Sequence, residues 1–114
     1  MEKVLIISLI AVLLWLLISM NSIIVYRFYR PTCPYCVSSQ ADWDKFKSHS
    51  MFSMVKCIDI NTDDPSVYVK NMTDNFNITG VPAIWVVKPD GRRYIYEGDR
   101  TVDGFHSMVK RYST

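Results

Sequence analysis

The chain of 114 residues is poor in cysteine. It has three, and one is left over from any pairing, so a disulfide framework is excluded. There is no second cysteine pair for the usual four-ligand zinc clip; the only further candidate ligands are Cys57, His49 and His106. Basic clusters are also missing. Thirteen Lys and Arg against eleven Asp and Glu leave a formal charge of +2, which offers no face for nucleic acid. No internal repeat, low-complexity stretch or second domain interrupts a length suited to one domain.

The apolar residues are unevenly spread. Val4–Met20 runs seventeen residues without a charge. As a helix it would span roughly 25 Å, close to a hydrocarbon core. A core helix would show a polar face, and this run has none. A signal peptide has a shorter apolar region and a small-x-small cleavage site, which Ile18–Ser22 matches poorly. Residues 1–22 are therefore read as an N-terminal transmembrane signal-anchor, with membrane contact through residues 4–20. Lys3 and the free amine on one side nearly balance Arg27 and Arg30 on the other, so charge alone sets no orientation.

Residues 23–114 read as one α/β domain. Ile23–Tyr29 is β-branched and aromatic, and predicts a strand. Pro34 suits a first helical position, so a helix is expected over 34–48, with Val37, Ala41, Phe46 and Trp43 facing inward. A second strand is expected over 54–60, and a helix opened by Asp64-Pro65 and running to about Phe76. Ala83–Val87 and Arg93–Tyr96 predict a hairpin about Pro89-Asp-Gly91, and Thr101 caps a last helix. The order β-α-β-α-β-β-α implies a mixed sheet with helices on both faces.

The pair Cys33-Pro-Tyr-Cys36 carries the chemistry. As a staple it would close too short a loop to stabilise much. As a metal clip it lacks a companion pair. At the start of a helix, free N–H groups favour the thiolate, and the spacing lets Cys36 fold back on a disulfide at Cys33. A redox couple is the favoured reading.

These residues also carry a likeness. The stretch Phe28-Tyr-Arg-Pro-Thr-Cys-Pro-Tyr-Cys36 resembles the protein disulfide isomerase active site within the thioredoxin superfamily, and Asp42-Trp-Asp-Lys45 is similar to the acidic-Trp-acidic-Lys run next in line in those proteins. Gly80-Val-Pro82 resembles the loop whose proline is cis in that family, and Tyr96–Asp103 resembles the stretch before its last helix. The dipeptide in Thr32-Cys-Pro-Tyr-Cys36 is instead the glutaredoxin form, with Arg30 at that family's glutathione-contacting basic position; of its Gly-Gly-Asp loop only Gly98-Asp99 remains.

The resemblance implies a thioredoxin-like fold with a four-stranded mixed sheet and a thiol-disulfide oxidoreductase. Cys33 would be the nucleophile and Cys36 the resolving thiol, with Thr32, Tyr35, Val81 and Pro82 at the substrate surface. The same likeness would place Lys56 under the active site, with a solvated strand lysine as the equal alternative. Arg27 stands where relatives bury a proton-carrying carboxylate, and Arg100 matches an arginine that lowers the second cysteine's pKa. Together they are expected to favour the Cys36 thiolate, the alternative being an Arg27 turned out to solvent. Ala41 replaces a kinking proline. Expected partners are protein thiols and disulfides and a redox recycling protein. No metal or cofactor is expected, with glutathione a candidate reductant. The rivals are a glutathione-dependent glutaredoxin and a non-enzymatic, membrane-tethered module that binds thiols or holds metal. The domain is expected outside the cytosol, in the endoplasmic reticulum lumen or its equivalent, where Asn71 and Asn77 would be glycan acceptors. Asn77 is read first as a turn residue, because Asn tolerates left-handed geometry. Cys57 is read as a small buried hydrophobe, and the two histidines as solvated.

Overall fold

The computed structural model describes residues 6, 8–14, 22–50 and 55–113. Most of the expected anchor lies outside the described residues. Within it residues 8–14 are helical, and Leu9, Ile10, Val12, Leu13 and Leu14 are each more than half exposed. Among the described residues no helix is long and apolar enough to cross a membrane.

Strand β1 (Ile23–Tyr29) forms as its β-branched and aromatic content predicts. It pairs in parallel with β2 (Val55–Asn61) and antiparallel with β3 (Ala83–Val87), which pairs antiparallel with β4 (Arg93–Tyr96). The sheet order is β2-β1-β3-β4, so β1 is an inner strand and both its faces must be covered. Helices α1 (Pro34–Ser38) and α2 (Gln40–Ser50) follow β1, α3 (Val67–Asn75) follows β2, and α4 (Val102–Tyr112) closes the domain.

The period-2 alternation of the strands divides the core in two. Ile23 and Val25 of β1, with Ile84 and Val86 of β3, pack against Trp43, Phe46, Phe105 and Met108 of α2 and α4. On the other face Phe28 and Ile60 meet Val69 and Phe76, with Tyr26 and Trp85 packed beside them. Trp43 and Phe105 meet edge to face at 5.5 Å between ring centres. Such a pair adds roughly 0.5–1.5 kcal/mol beyond burial.

Two local corrections have physical causes. The first expected helix breaks at Ser39, whose hydroxyl donates to the Tyr35 carbonyl at 2.7 Å and the Cys36 carbonyl at 3.4 Å. Hydroxyl bonding back to the preceding turn bends a helix, so the chain kinks here with Ala41 in place of proline. The inward stripe is then Cys36, Ser39, Trp43 and Phe46, and Val37 and Ala41 face outward. Helix α3 starts at Val67 because the Ser66 hydroxyl, and not Asp64-Pro65, caps it by accepting the Val69 N–H at 3.2 Å. His49 and His106 are exposed on their helices as expected, and they also face each other from α2 and α4 with ring nitrogens 3.1 Å apart.

Elsewhere the local chemistry is as read. The Thr101 hydroxyl accepts the Gly104 N–H at 3.1 Å and caps α4. Asn77 takes φ 52 in the turn after α3, a conformation Asn tolerates. Gly91, at φ 90, closes the β3–β4 hairpin.

Candidate active site

The end of β1 delivers the chain into a short turn, Arg30–Thr32, that sets Cys33 at the start of α1. Its N–H donates to the Arg30 carbonyl at 3.2 Å. Cys33 has extended geometry (φ −73°, ψ 120°) and is itself the N-cap, its sulfur accepting the Cys36 N–H at 3.3 Å. Pro34 takes the first helical position, where its missing N–H costs nothing. Cys33 is half-buried and Cys36, one turn in, is 2 % exposed. None of the three cysteines is in a disulfide.

The two thiols are pushed in opposite directions. A hydrogen bond from the Cys36 thiol holds Cys33 below the ordinary thiol pKa, helped by the backbone N–H groups of Cys36 and Tyr35 and by the charge of Arg100. Burial pushes Cys36 up, as do its hydrogen bond to Cys33 and the charge there; hydrogen bonding from the Arg30 backbone and, after it, the charge of Arg27 pull the other way. The accessible sulfur is thus the readier thiolate, and thiolate is the attacking species.

The loop before β3 completes the site. The Val81–Pro82 peptide bond is cis, and the Val81 carbonyl accepts from the Cys33 sulfur at 3.6 Å. Thr32 and Tyr35 are exposed beside Cys33, Tyr35 by 68 %, and the Arg100 guanidinium lies 5.9 Å from the Tyr35 ring centre. An extended chain reaching Cys33 would meet Thr32, Tyr35 and the Val81–Pro82 backbone together.

Beneath the pair is Arg27. It projects from β1 toward α1 and α2, is 1 % exposed, and donates through Nη2 to the Cys36 carbonyl at 2.9 Å and through Nη1 to Gln40 Oε1 at 3.0 Å. Its guanidinium also lies over the rings of Tyr29 and Trp43, at 5.1 and 5.7 Å. Nε has no hydrogen-bond partner, and among the described residues no carboxylate forms an ion pair with Arg27. Asp59 stands beside it in the β1–β2 register, but its oxygens accept from Trp43 Nε1 and Lys47 Nζ, each at 2.6 Å.

Two expected residues take other places. Lys56 is exposed at the outer end of β2. Strand alternation turns it to the face opposite Arg27 and Asp59, so of its two readings the solvated strand lysine holds and it does not lie under the cysteines. Arg100 reaches Tyr35 and Cys33, and the cation that acts on Cys36 is Arg27. Cys57 is half-buried against the core, close to its expected role. Arg30 is bound to Asp63 at 2.8 Å.

Gln40, Ser39 and Asp59 did not stand out in the sequence. Gln40 comes four residues after Cys36, a helical spacing that puts both on one face. Asp59 needed the strand register, which sequence does not supply.

The family model for thioredoxin matches residues 16–111. A protein disulfide-isomerase of Ricinus communis is 27% identical over 101 residues, covering 84% of this chain and 20% of the relative. The protein disulfide isomerase-like 1-1 of Arabidopsis thaliana is 28% identical over 92 residues, covering 77% of this chain and 17% of its own length. The chain thus spans about a fifth of the curated relatives it matches. Among solved structures, the first thioredoxin domain of mouse protein disulfide-isomerase A4 superposes with a TM-score of 0.69 at 21% identity, covering 82% of this chain and 65% of that one.

Proposed function

The chain belongs to the thioredoxin family, and from that premise we propose that it is a membrane-anchored thiol-disulfide oxidoreductase acting on protein disulfides through Cys33 and Cys36. One observation carries the reading: an accessible, acidified Cys33 whose sulfur touches the Val81 carbonyl, with a buried second thiol one turn away. Cys33 thiolate attacks a substrate disulfide and releases one substrate thiol. Cys36 then attacks Cys33, releasing the second and leaving the Cys33–Cys36 disulfide. In reverse the oxidised pair donates its disulfide to a substrate dithiol. A recycling protein restores the working state.

The substrate surface is Thr32, Tyr35, Val81 and Pro82, where a fixed backbone edge can pair with an extended segment. A protein substrate suits this arrangement better than glutathione, because Arg30 is engaged by Asp63. The uncharged run over residues 4–20 supports an anchor, and likeness to disulfide isomerases supports a domain outside the cytosol.

The test is trapping. Cys36→Ser should accumulate mixed disulfides with substrate, and Cys33→Ser should accumulate none. Adducts on Cys33→Ser would reverse the roles; adducts on neither would remove the activity. Digestion of the domain by protease added to the cytosolic face of sealed vesicles would overturn the placement.

A further inference from the structure

When a mixed disulfide is resolved, the buried Cys36 sulfur must lose its proton before it attacks. Few titratable or charged groups surround it. β1 contributes Arg27 and Tyr29, the turn contributes Arg30 and Cys33, and Arg100 approaches from the segment before α4. β2 contributes Asp59, and α2 contributes Lys47, which Asp59 binds, and the exposed Asp44, which accepts from Gln40 Nε2 at 2.9 Å and lies 3.8 Å from Lys47. β3 places apolar Ile84 opposite Arg27. A guanidinium has donors only and keeps its proton, so Arg27 cannot act as a base. Asp59 already holds Trp43 and Lys47.

Space for water adjoins Cys36. An open cleft of ≈ 340 Å³ is lined by Tyr29, Arg30, Pro31, Cys36, Val37 and Gln40. A water molecule needs about 10–15 Å³ of such space. We propose that Cys36 gives its proton to water in this cleft, with the Arg27 charge holding the thiolate, Gln40 holding Arg27, and no side-chain base taking part. The inference rests on the thiol-disulfide reading above. The step balances. The Cys36 S–H bond breaks and its proton goes to water; the Cys36 thiolate forms a bond to Cys33 sulfur; the bond from Cys33 to substrate sulfur breaks. The substrate leaves as thiolate and takes a proton from water. The cysteine pair has lost two electrons and the substrate disulfide has gained them.

Arg27 is a positioning residue here, so its test needs more than a rate. Reduced full-length chain is mixed with a peptide disulfide, and the resolution phase is followed from pH 5 to 10. The unmodified chain should show one ionisation, with the rate rising as the thiol ionises. Asp59→Asn should keep that shape and be no slower. Arg27→Met should move the midpoint to higher pH. Its thiolate fraction near neutrality should fall about tenfold. A more basic thiolate is intrinsically more reactive and returns about threefold, for a net slowing of about threefold. The variant should catch up as pH rises and, once both thiols are ionised, lead by about threefold, and Arg27→Lys should restore much of the rate near neutrality. A second ionisation in the carboxylate range, a slow Asp59→Asn, or an unmoved midpoint in a folded Arg27→Met would overturn the inference. Should Arg27→Met fail to fold, the profiles of the unmodified chain and Asp59→Asn still decide it. If no mixed disulfide forms at all, the oxidoreductase reading falls and takes this one with it.

Discussion

Replacing Trp43 with phenylalanine should cost about 2.5 kcal/mol of stability, and the loss should be tied to one partner. Trp43 is fully buried and its indole N–H donates to Asp59 Oδ1 at 2.6 Å. A hydrogen bond to a charged acceptor contributes about 1.5–3 kcal/mol. The Asp59 side chain is 29% exposed and keeps Lys47, so the lower end, about 1.5 kcal/mol, applies. A phenyl ring preserves the edge-to-face contact with Phe105 but leaves a small void, adding about 1 kcal/mol. With a urea slope of about 1–1.5 kcal/mol/M, the unfolding midpoint should fall by roughly 2 M at an unchanged slope. Far-UV circular dichroism is the suitable probe, because the substitution itself alters tryptophan fluorescence. Asp59→Asn and the double variant complete a thermodynamic cycle, in which the pair should show a coupling of about 1.5 kcal/mol. A loss below about 1 kcal/mol, or strict additivity, would refute the assignment of this bond.

Three further outcomes are expected. Mapped by mass spectrometry, alkylation should modify Cys33 at a pH below the ordinary thiol range and Cys36 only above it, since the first is acidified by hydrogen bonds and the second is held protonated by burial; a shared midpoint would contradict this. Ala41→Pro, at an exposed second position of α2 just after the Ser39 break, should be neutral or stabilising by up to about 1 kcal/mol in urea titration, and a larger loss would mean that the kink needs the Ala41 N–H. Arg27→Glu should make the couple more reducing, because losing a cation disfavours the reduced thiolate; equilibration with glutathione should read a shift of roughly 30 mV for each 1.4 kcal/mol, and an unchanged or more positive potential would exclude Arg27 from the couple.

The fold was largely legible because its signals are local. Ile23–Tyr29, Ala83–Val87 and Arg93–Tyr96 form strands where their composition places them, and Thr101 caps where expected. The phase of the active-site helix was not legible. It depends on a serine hydroxyl that bonds backward at Ser39, and the same side chain would be an ordinary surface residue one position away. At the site, Cys33, Cys36 and Pro82 could be read from their motifs. Lys56 and Asp59 could not, because which residue lies beneath the cysteines depends on β1–β2 register, where one step turns a side chain to the other face. Arg27 was noticed as a departure. That it is buried and bonded to the Cys36 carbonyl is a tertiary fact, since a strand arginine can as readily reach solvent.

Strand β1 also sets a height. It runs from Ile23 directly to the turn that carries the reacting sulfur, and seven extended residues cover roughly 20 Å. In a chain tethered through its apolar run, this strand would stand Cys33 off by about that distance, at the end of the domain farthest from the tether. The sulfur would then sample a layer well clear of the lipid headgroups. Disulfides in membrane-proximal stalks would lie beneath its reach, and those in the bodies of neighbouring ectodomains would lie within it. In such a tethered chain, flexible residues added at Asn21-Ser22, between the apolar run and β1, would widen that layer without altering the sulfur chemistry.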